Sequence, residues 1–269
     1  YSVLQKTMCS DYYNTLDIYF EPNGVFTHTD NHGLLRSTDG INISHGQCSS
    51  EETSVQKIVF ETEGKHSEGL SSGGSQIIED LPDERKRITL DVGSYQLEKA
   101  TEEDIEMYLK DSPTYPFNDP KIQELIKEIK SHKFYNENNK EEALLSFVYN
   151  FIQYDETSNA TSVFDILESK KGDCSEYQLL FTTLARGMGI PTRAVDGWSY
   201  MGDKKYGGHA WNEMIFEENG EFFWYPVDPT HFKWYPLHIK GKEFETIQLD
   251  FKLKVKEVHY DNGKIVSYK

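Results

Sequence analysis

Across the first hundred positions, apolar and polar residues follow one another in short, partly alternating runs. Residues 15–20, 55–61, 76–79 and 87–92 share this texture and are separated by turn formers, so each predicts a strand. Pro22-Asn23-Gly24 and Asp39-Gly40 mark turns, because glycine accepts the positive φ that tight turns require. Residues 64–75 (GKHSEGLSSGGS) read as a flexible surface connection without chemistry of its own. No internal repeat is visible.

The period changes near residue 100. Thr101 before Glu102-Glu103-Asp104 predicts a helix start, with the acids at the positive helix end. Ser112-Pro113 and Tyr115-Pro116 then break the chain. Asp119-Pro120 opens a second helix, whose Ile122, Leu125, Ile126 and Ile129 form one apolar stripe. A third helix is expected over 139–154, burying Leu144, Leu145, Val148, Phe151 and Ile152. A fourth starts at or just before Cys174, with Tyr177, Leu180, Phe181, Leu184 and Met188 at helical spacing and Gly187 and Gly189 as its stop. Strands are predicted again over 192–195, 209–216, 221–227 and 249–260, the last turning at Asp261-Asn262-Gly263 into 265–268. Strands, then helices, then strands indicate an α+β protein. The expected organisation is a β-rich N-terminal domain over 1–98 and a second domain over 99–269 ending in a β-hairpin.

Composition narrows the function. The 269 residues are 37% hydrophobic and 13% aromatic, enough to build cores and to exclude global disorder. A net charge of −17 carries no basic footprint, so no nucleic-acid partner is expected and an anionic membrane surface is disfavoured. The charge most simply serves solubility. No apolar run reaches the roughly 18 residues of a membrane helix, so no integral membrane segment is expected. The chain opens at Tyr1 rather than Met, so a signal peptide or lipid anchor could have stood upstream, and its absence here proves nothing. An extracytoplasmic (secreted, periplasmic or surface-anchored) protein is expected. Three cysteines are present. In an oxidising compartment Cys9 and Cys48 could pair and leave Cys174 as a reactive thiol; in a reducing one all three are free.

Cys174 follows Lys171-Gly172-Asp173 at the mouth of a helix, ahead of its buried stripe rather than within it. Unpaired N–H groups and the positive helix end favour the thiolate, the form a nucleophile needs. Gly172 would let a substrate approach the backbone. A nucleophilic cysteine needs a base and the base an orienter. Among nine histidines, His209 stands out: Gly207-Gly208 deliver it to the start of an alternating strand. Asp228 closes the next strand, where antiparallel pairing would bring the two ends together. From the residues alone, this triad and an ordinary sheet carrying His and Asp at strand ends both stay open.

Four segments resemble the transglutaminase-like superfamily of papain-like thiol enzymes, in the order that family has them: FVYNFIQYDE, GDCSEYQLLFTTLARGMGIPTRAV, GGHAWNE and FFWYPVDPT. Cys174 to His209 is a step of 35 residues and His209 to Asp228 one of 19, which also fits. YLKDSPTYPFNDPKIQELIKEI looks like the lead-in of prokaryotic members. The resemblance covers roughly residues 105–235 and leaves the first hundred without a match.

The resemblance implies a papain-like core and a catalytic triad of Cys174, His209 and Asp228, attacking protein or peptide amides through a thioester. The acyl group would pass to water (a cysteine protease or amidase) or to an amine (a cross-linking transglutaminase), with water favoured by analogy. The Cys174 backbone N–H and Tyr154 are the oxyanion candidates. Trp198 and Trp211 could line the substrate path, although aromatics beside such strands are more often core. Asp173 and Glu176 read as ordinary helix-end acids, Arg193 as structural, and His231 and His238 as surface residues. No CxxC pair, HExxH or EF-hand loop is present, so no metal and no cofactor are expected. The missing CxxC pairs also disfavour the peptide N-glycanase branch. A reading of another class is a surface binding module with a vestigial triad.

Overall fold

The period-two runs and the helical stripes resolve into separate strands and helices in the computed structural model. It describes residues 55–63, 72–132, 135–202, 205–234, 237–240 and 252–268, with short strand pieces between residues 20 and 44. In those pieces Phe20–Glu21 pairs with Gly24–Val25, and Leu34–Arg36 pairs with both His28–Thr29 and Asn42–Ser44. Residues 15–19 of the first expected strand, Pro22-Asn23 and Asp39-Gly40 of the two early turns and most of the connection over 64–75 lie outside the described residues.

The elements that follow are β1 (Val55–Glu63), β2 (Gln76–Asp80), β3 (Lys86–Asp91), β4 (Glu98–Ala100), α1 (Glu102–Tyr108), α2 (Pro120–Ser131), α3 (Lys140–Phe151), β5 (Gln153–Tyr154), α4 (Val163–Ser169), β6 (Lys171–Gly172) and α5 (Cys174–Gly187). The chain continues through β7 (Thr192–Gly202), β8 (Lys205–Glu218), β9 (Glu221–Asp228), β10 (Lys233–Trp234), β11 (His238–Lys240), β12 (Lys252–Tyr260) and β13 (Ile265–Ser267). This is the α+β arrangement with antiparallel sheets that the order of elements predicted. The chain divides into two compact units, one of residues 1–52, 102–193 and 228–233 and one of 53–101, 194–227 and 234–269.

The first unit is built around α5, against which α2, α3 and α4 pack. Ile122, Ile126 and Ile129 of α2, Leu144, Leu145 and Val148 of α3, and Tyr177, Leu180, Phe181 and Leu184 of α5 are buried, as their spacing predicted. Gly187 is the last residue of α5, where a Cβ would overlap Ile126 Cδ1; the glycine serves close helix packing. The stop lies two residues later, at Gly189 with φ +78°. Arg186 is buried with its guanidinium 4.2 Å from the Tyr115 ring and Nε donating to the Thr192 carbonyl at 2.9 Å. The third helix ends three residues earlier than its apolar pattern suggests. The Ile152 carbonyl accepts the Tyr177 hydroxyl at 2.6 Å, and Gln153–Tyr154 turns out to pair in parallel with Lys171–Gly172. Tertiary bonds stop this helix where the periodicity alone would carry it on.

In the second unit two sheets carry the core. One has the order β13-β12-β1-β3-β2, every neighbouring pair antiparallel. The other has the order β10-β9-β8-β7-β11, with β4 also pairing β9. Ile58, Phe60, Ile88, Leu90, Leu253, Val255 and Val258 of the first sheet form one buried cluster with Ile239 of β11, and Trp198 of β7 packs against it. Buried Gln76 joins the sheets by peptide mimicry: its Nε2 donates to the Lys240 carbonyl at 3.1 Å and its Oε1 accepts from Lys240 N at 3.0 Å. The C-terminal hairpin forms as predicted, with Gly263 at φ +80°.

Candidate active site

The thiol stands where the helical pattern put it. Cys174 is the first residue of α5, half-buried and free. The helix start is fixed by a reciprocal cap: Asp173 Oδ1 accepts from Ser175 N at 2.8 Å, and Glu176 Oε2 accepts from Asp173 N at 2.7 Å. Glu176 was expected to be an ordinary helix-end acid. It is instead 7% exposed and folded back against Gly172, where a Cβ would overlap its own Cβ. The space at Gly172 that the sequence suggested for a substrate is filled by this side chain. Burial pushes the Glu176 carboxyl above the usual carboxylate range, and the neighbouring Asp173 adds to that. The missed signal was the Asp-x-x-Glu spacing of a capping box.

Tyr154 lies in register with Gly172, two residues before the thiol. Its side chain is exposed and its hydroxyl donates to Glu156 Oε1 at 3.2 Å. Its hydroxyl titrates above the ordinary tyrosine value, first through desolvation by the protein around it, then through Glu156, with Cys174 and Asp173 adding. It therefore keeps its proton at neutral pH, as a donor must. The strand is anchored at its end, where Asp155 N donates to the Gly172 carbonyl at 2.9 Å. Asp155 is held down to about 2, first by the Thr157 hydroxyl, then by its backbone N–H and by Lys171.

His209 sits inside β8 rather than at its start, because the strand begins at Lys205. The glycines before it hid those residues from an alternation count. The ring is buried, 4.8 Å from the ring of His238 and edge-on to it, and stacked 6.2 Å from Trp211. His238 is thus a buried residue of this aromatic group, not a surface one. Trp211 is 2% exposed and lies against Gly197, where a Cβ would come within 2.7 Å of Cη2. Trp198 is partly buried and packs against the sheet core. Both tryptophans thus have packing partners within the sheets. Glu213, in the same motif as His209, is buried and bonded to Lys240 Nζ at 2.9 Å. Arg193 is buried, in keeping with a structural role.

Asp228 ends β9 with its side chain fully buried. Oδ1 accepts from Thr230 N at 2.9 Å and His231 N at 3.2 Å, while Oδ2 lies 2.7 Å from His231 Nδ1. His231, expected as a surface residue, is 40% exposed yet bonded to this carboxylate. Sequence reasoning missed it because a histidine in a polar turn looks like any solvated residue.

A comparison with curated protein sequences finds no match. Among solved structures, a candidate cysteine protease from Cytophaga hutchinsonii aligns over 81% of this chain and 92% of its own, at 14% identity and TM-score 0.45. The periplasmic domain of TgpA from Pseudomonas aeruginosa aligns over 67% and 89%, at 16% identity and TM-score 0.41. Red sea bream transglutaminase aligns over 70% of this chain but only 48% of its own, at 10% identity and TM-score 0.36. Residues 123–229, which contain Cys174, His209 and Asp228, match the transglutaminase-like superfamily, the family that the sequence motifs resemble.

Proposed function

We propose that the protein is a thiol-dependent acyl-transfer enzyme acting on protein or peptide amides, with water as its usual acceptor. Cys174 is the nucleophile, His209 the base and Asp228 the orienter of His209. The observation that carries this reading is the free, half-buried thiol on the first residue of a doubly capped helix inside a transglutaminase-like segment.

In the proposed reaction, the Cys174 thiolate attacks the amide carbonyl and the oxygen takes up the negative charge. The N–H of Cys174 is one of the helix N–H groups without an intrahelical acceptor and is suited to that oxygen. The Tyr154 hydroxyl is the proposed second donor. Collapse of the adduct leaves a thioester on Cys174, and protonated His209 gives its proton to the departing amine. Water, deprotonated by His209, then releases the acid and restores the thiol. An amine in place of water would give a new amide, the cross-linking outcome.

Among the described residues no helix is long and apolar enough to cross a membrane. An extracytoplasmic working place is part of the proposal, and a Cys9–Cys48 disulfide in protein purified without reductant would support it. The decisive experiment is mass spectrometry of a protein substrate incubated with the enzyme and a primary amine. New peptide termini or deamidated glutamines support hydrolysis, and amine adducts support transfer. None of these, at any ratio of enzyme to substrate, defeats the enzyme reading in favour of a binding module.

A further inference from the structure

A carboxylate that is wholly buried keeps its charge only if donors reach both oxygens. At Asp228 the two are served differently. Oδ1 takes backbone N–H groups from Thr230 and His231, an ordinary turn after an aspartate. Oδ2 takes a side chain, His231 Nδ1 at 2.7 Å. The turn would close without that second bond, since its own two bonds end on Oδ1. The His231 side chain is 40% exposed, so it fills no core space and is not held there by packing alone.

The geometry points to His231 as a positioning residue for the reaction proposed above. Its Nδ1–H, on Oδ2, reinforces the carboxylate orientation that the two N–H groups on Oδ1 set, and with it the direction in which Asp228 can orient the base. This inference rests on the Cys-His-Asp reading and adds a fourth residue to it. Holding Nδ1–H toward the carboxylate fixes the neutral tautomer, with Nε2 as the unprotonated nitrogen. A residue acting through an orienting group affects the chemical step more than substrate binding, because it makes no contact with substrate.

The test compares His231→Asn, whose amide N–H can stand in for Nδ1–H, with His231→Phe, which keeps the ring's bulk and lacks the donor. With wild-type turnover established as dependent on Cys174, His231→Phe is expected to lower kcat about tenfold to a hundredfold with KM unchanged. His231→Asn is expected to recover most of that loss. Equal activity in both variants, equal loss in both, or a change confined to KM overturns the proposal. Imidazole ¹⁵N shifts give a readout that needs no variant: the neutral His231 ring should be protonated at Nδ1, and a ring protonated at Nε2 overturns it. Wild-type turnover that survives Cys174→Ala would instead defeat the reading of the active site itself, before His231 is judged.

Discussion

Glu176 is the residue whose meaning changed most between sequence and structure, and its chemistry yields a pH prediction. Its folded-state value is raised, so ionisation opposes the fold. The stability it contributes is full below the ordinary glutamate value of 4.5 and is lost as pH rises through the raised value. Glu176→Gln keeps an acceptor for Asp173 N and removes the charge. Its melting temperature relative to wild type should therefore climb between pH 4 and pH 7. Glu176→Ala removes the cap as well and should cost about 1 kcal/mol at pH 4 and less at pH 7, where wild type carries the opposed charge. A glutamine variant that loses ground to wild type as pH rises would contradict this account. The sequence did reveal Cys174, His209 and Asp228 as candidates, because motif spacing is a one-dimensional property. It hid Glu176, His231 and His238, because burial of a polar side chain depends on partners that spacing does not name.

Among the elements, helices with one apolar stripe were legible. Asp119-Pro120 and Cys174 mark true starts, with Asp119 accepting from Lys121 N at 2.8 Å. The short α4 was missed, although Ser162 and Asp165 form its capping box, because seven residues are too few to show a period. The strands β7 and β8 run to Gly202 and from Lys205, well past the predicted 192–195 and 209–216. Glycines interrupt both extensions, Gly197 and Gly202 in β7 and Gly207-Gly208 in β8, although Trp198, Ser199 and Tyr200 still alternate. Gln76 secures β11, the edge strand beside β7: its amide completes two backbone hydrogen bonds of Lys240 from the other sheet. Gln76→Ala should leave both groups without these bonds and destabilise the protein by about 1–3 kcal/mol. Urea unfolding with a lower midpoint and unchanged slope would bear this out. An unchanged midpoint would show that the clamp contributes nothing.

At the scale of the whole molecule, the compositional change near residue 100 does not coincide with the edge of a sheet. β12, from the end of the chain, pairs along β1, from its first quarter. A fragment of residues 99–269 would therefore lose Ile58, Phe60, Ile88 and Leu90 from around Leu253, Val255 and Val258. Each such side chain contributes about 1.5–3 kcal/mol, so four together rival the roughly 5–15 kcal/mol that hold a domain folded. The fragment should aggregate or show no cooperative melt; a soluble fragment with a sharp transition would mean that residues 99–269 fold independently. Contacts this distant in sequence cannot be read from local patterns, whereas the order of elements could. The central claim is that Cys174 carries the acyl group. It is tested most directly by mixing the full chain with a small activated acyl substrate, quenching in acid and mapping the mass increase. The account predicts one acyl adduct on the peptide containing Cys174, released by hydroxylamine, absent in Cys174→Ala and formed far more slowly in His209→Ala. Acylation spread over Cys9, Cys48 and Cys174 alike, or turnover undiminished in Cys174→Ala, would contradict it.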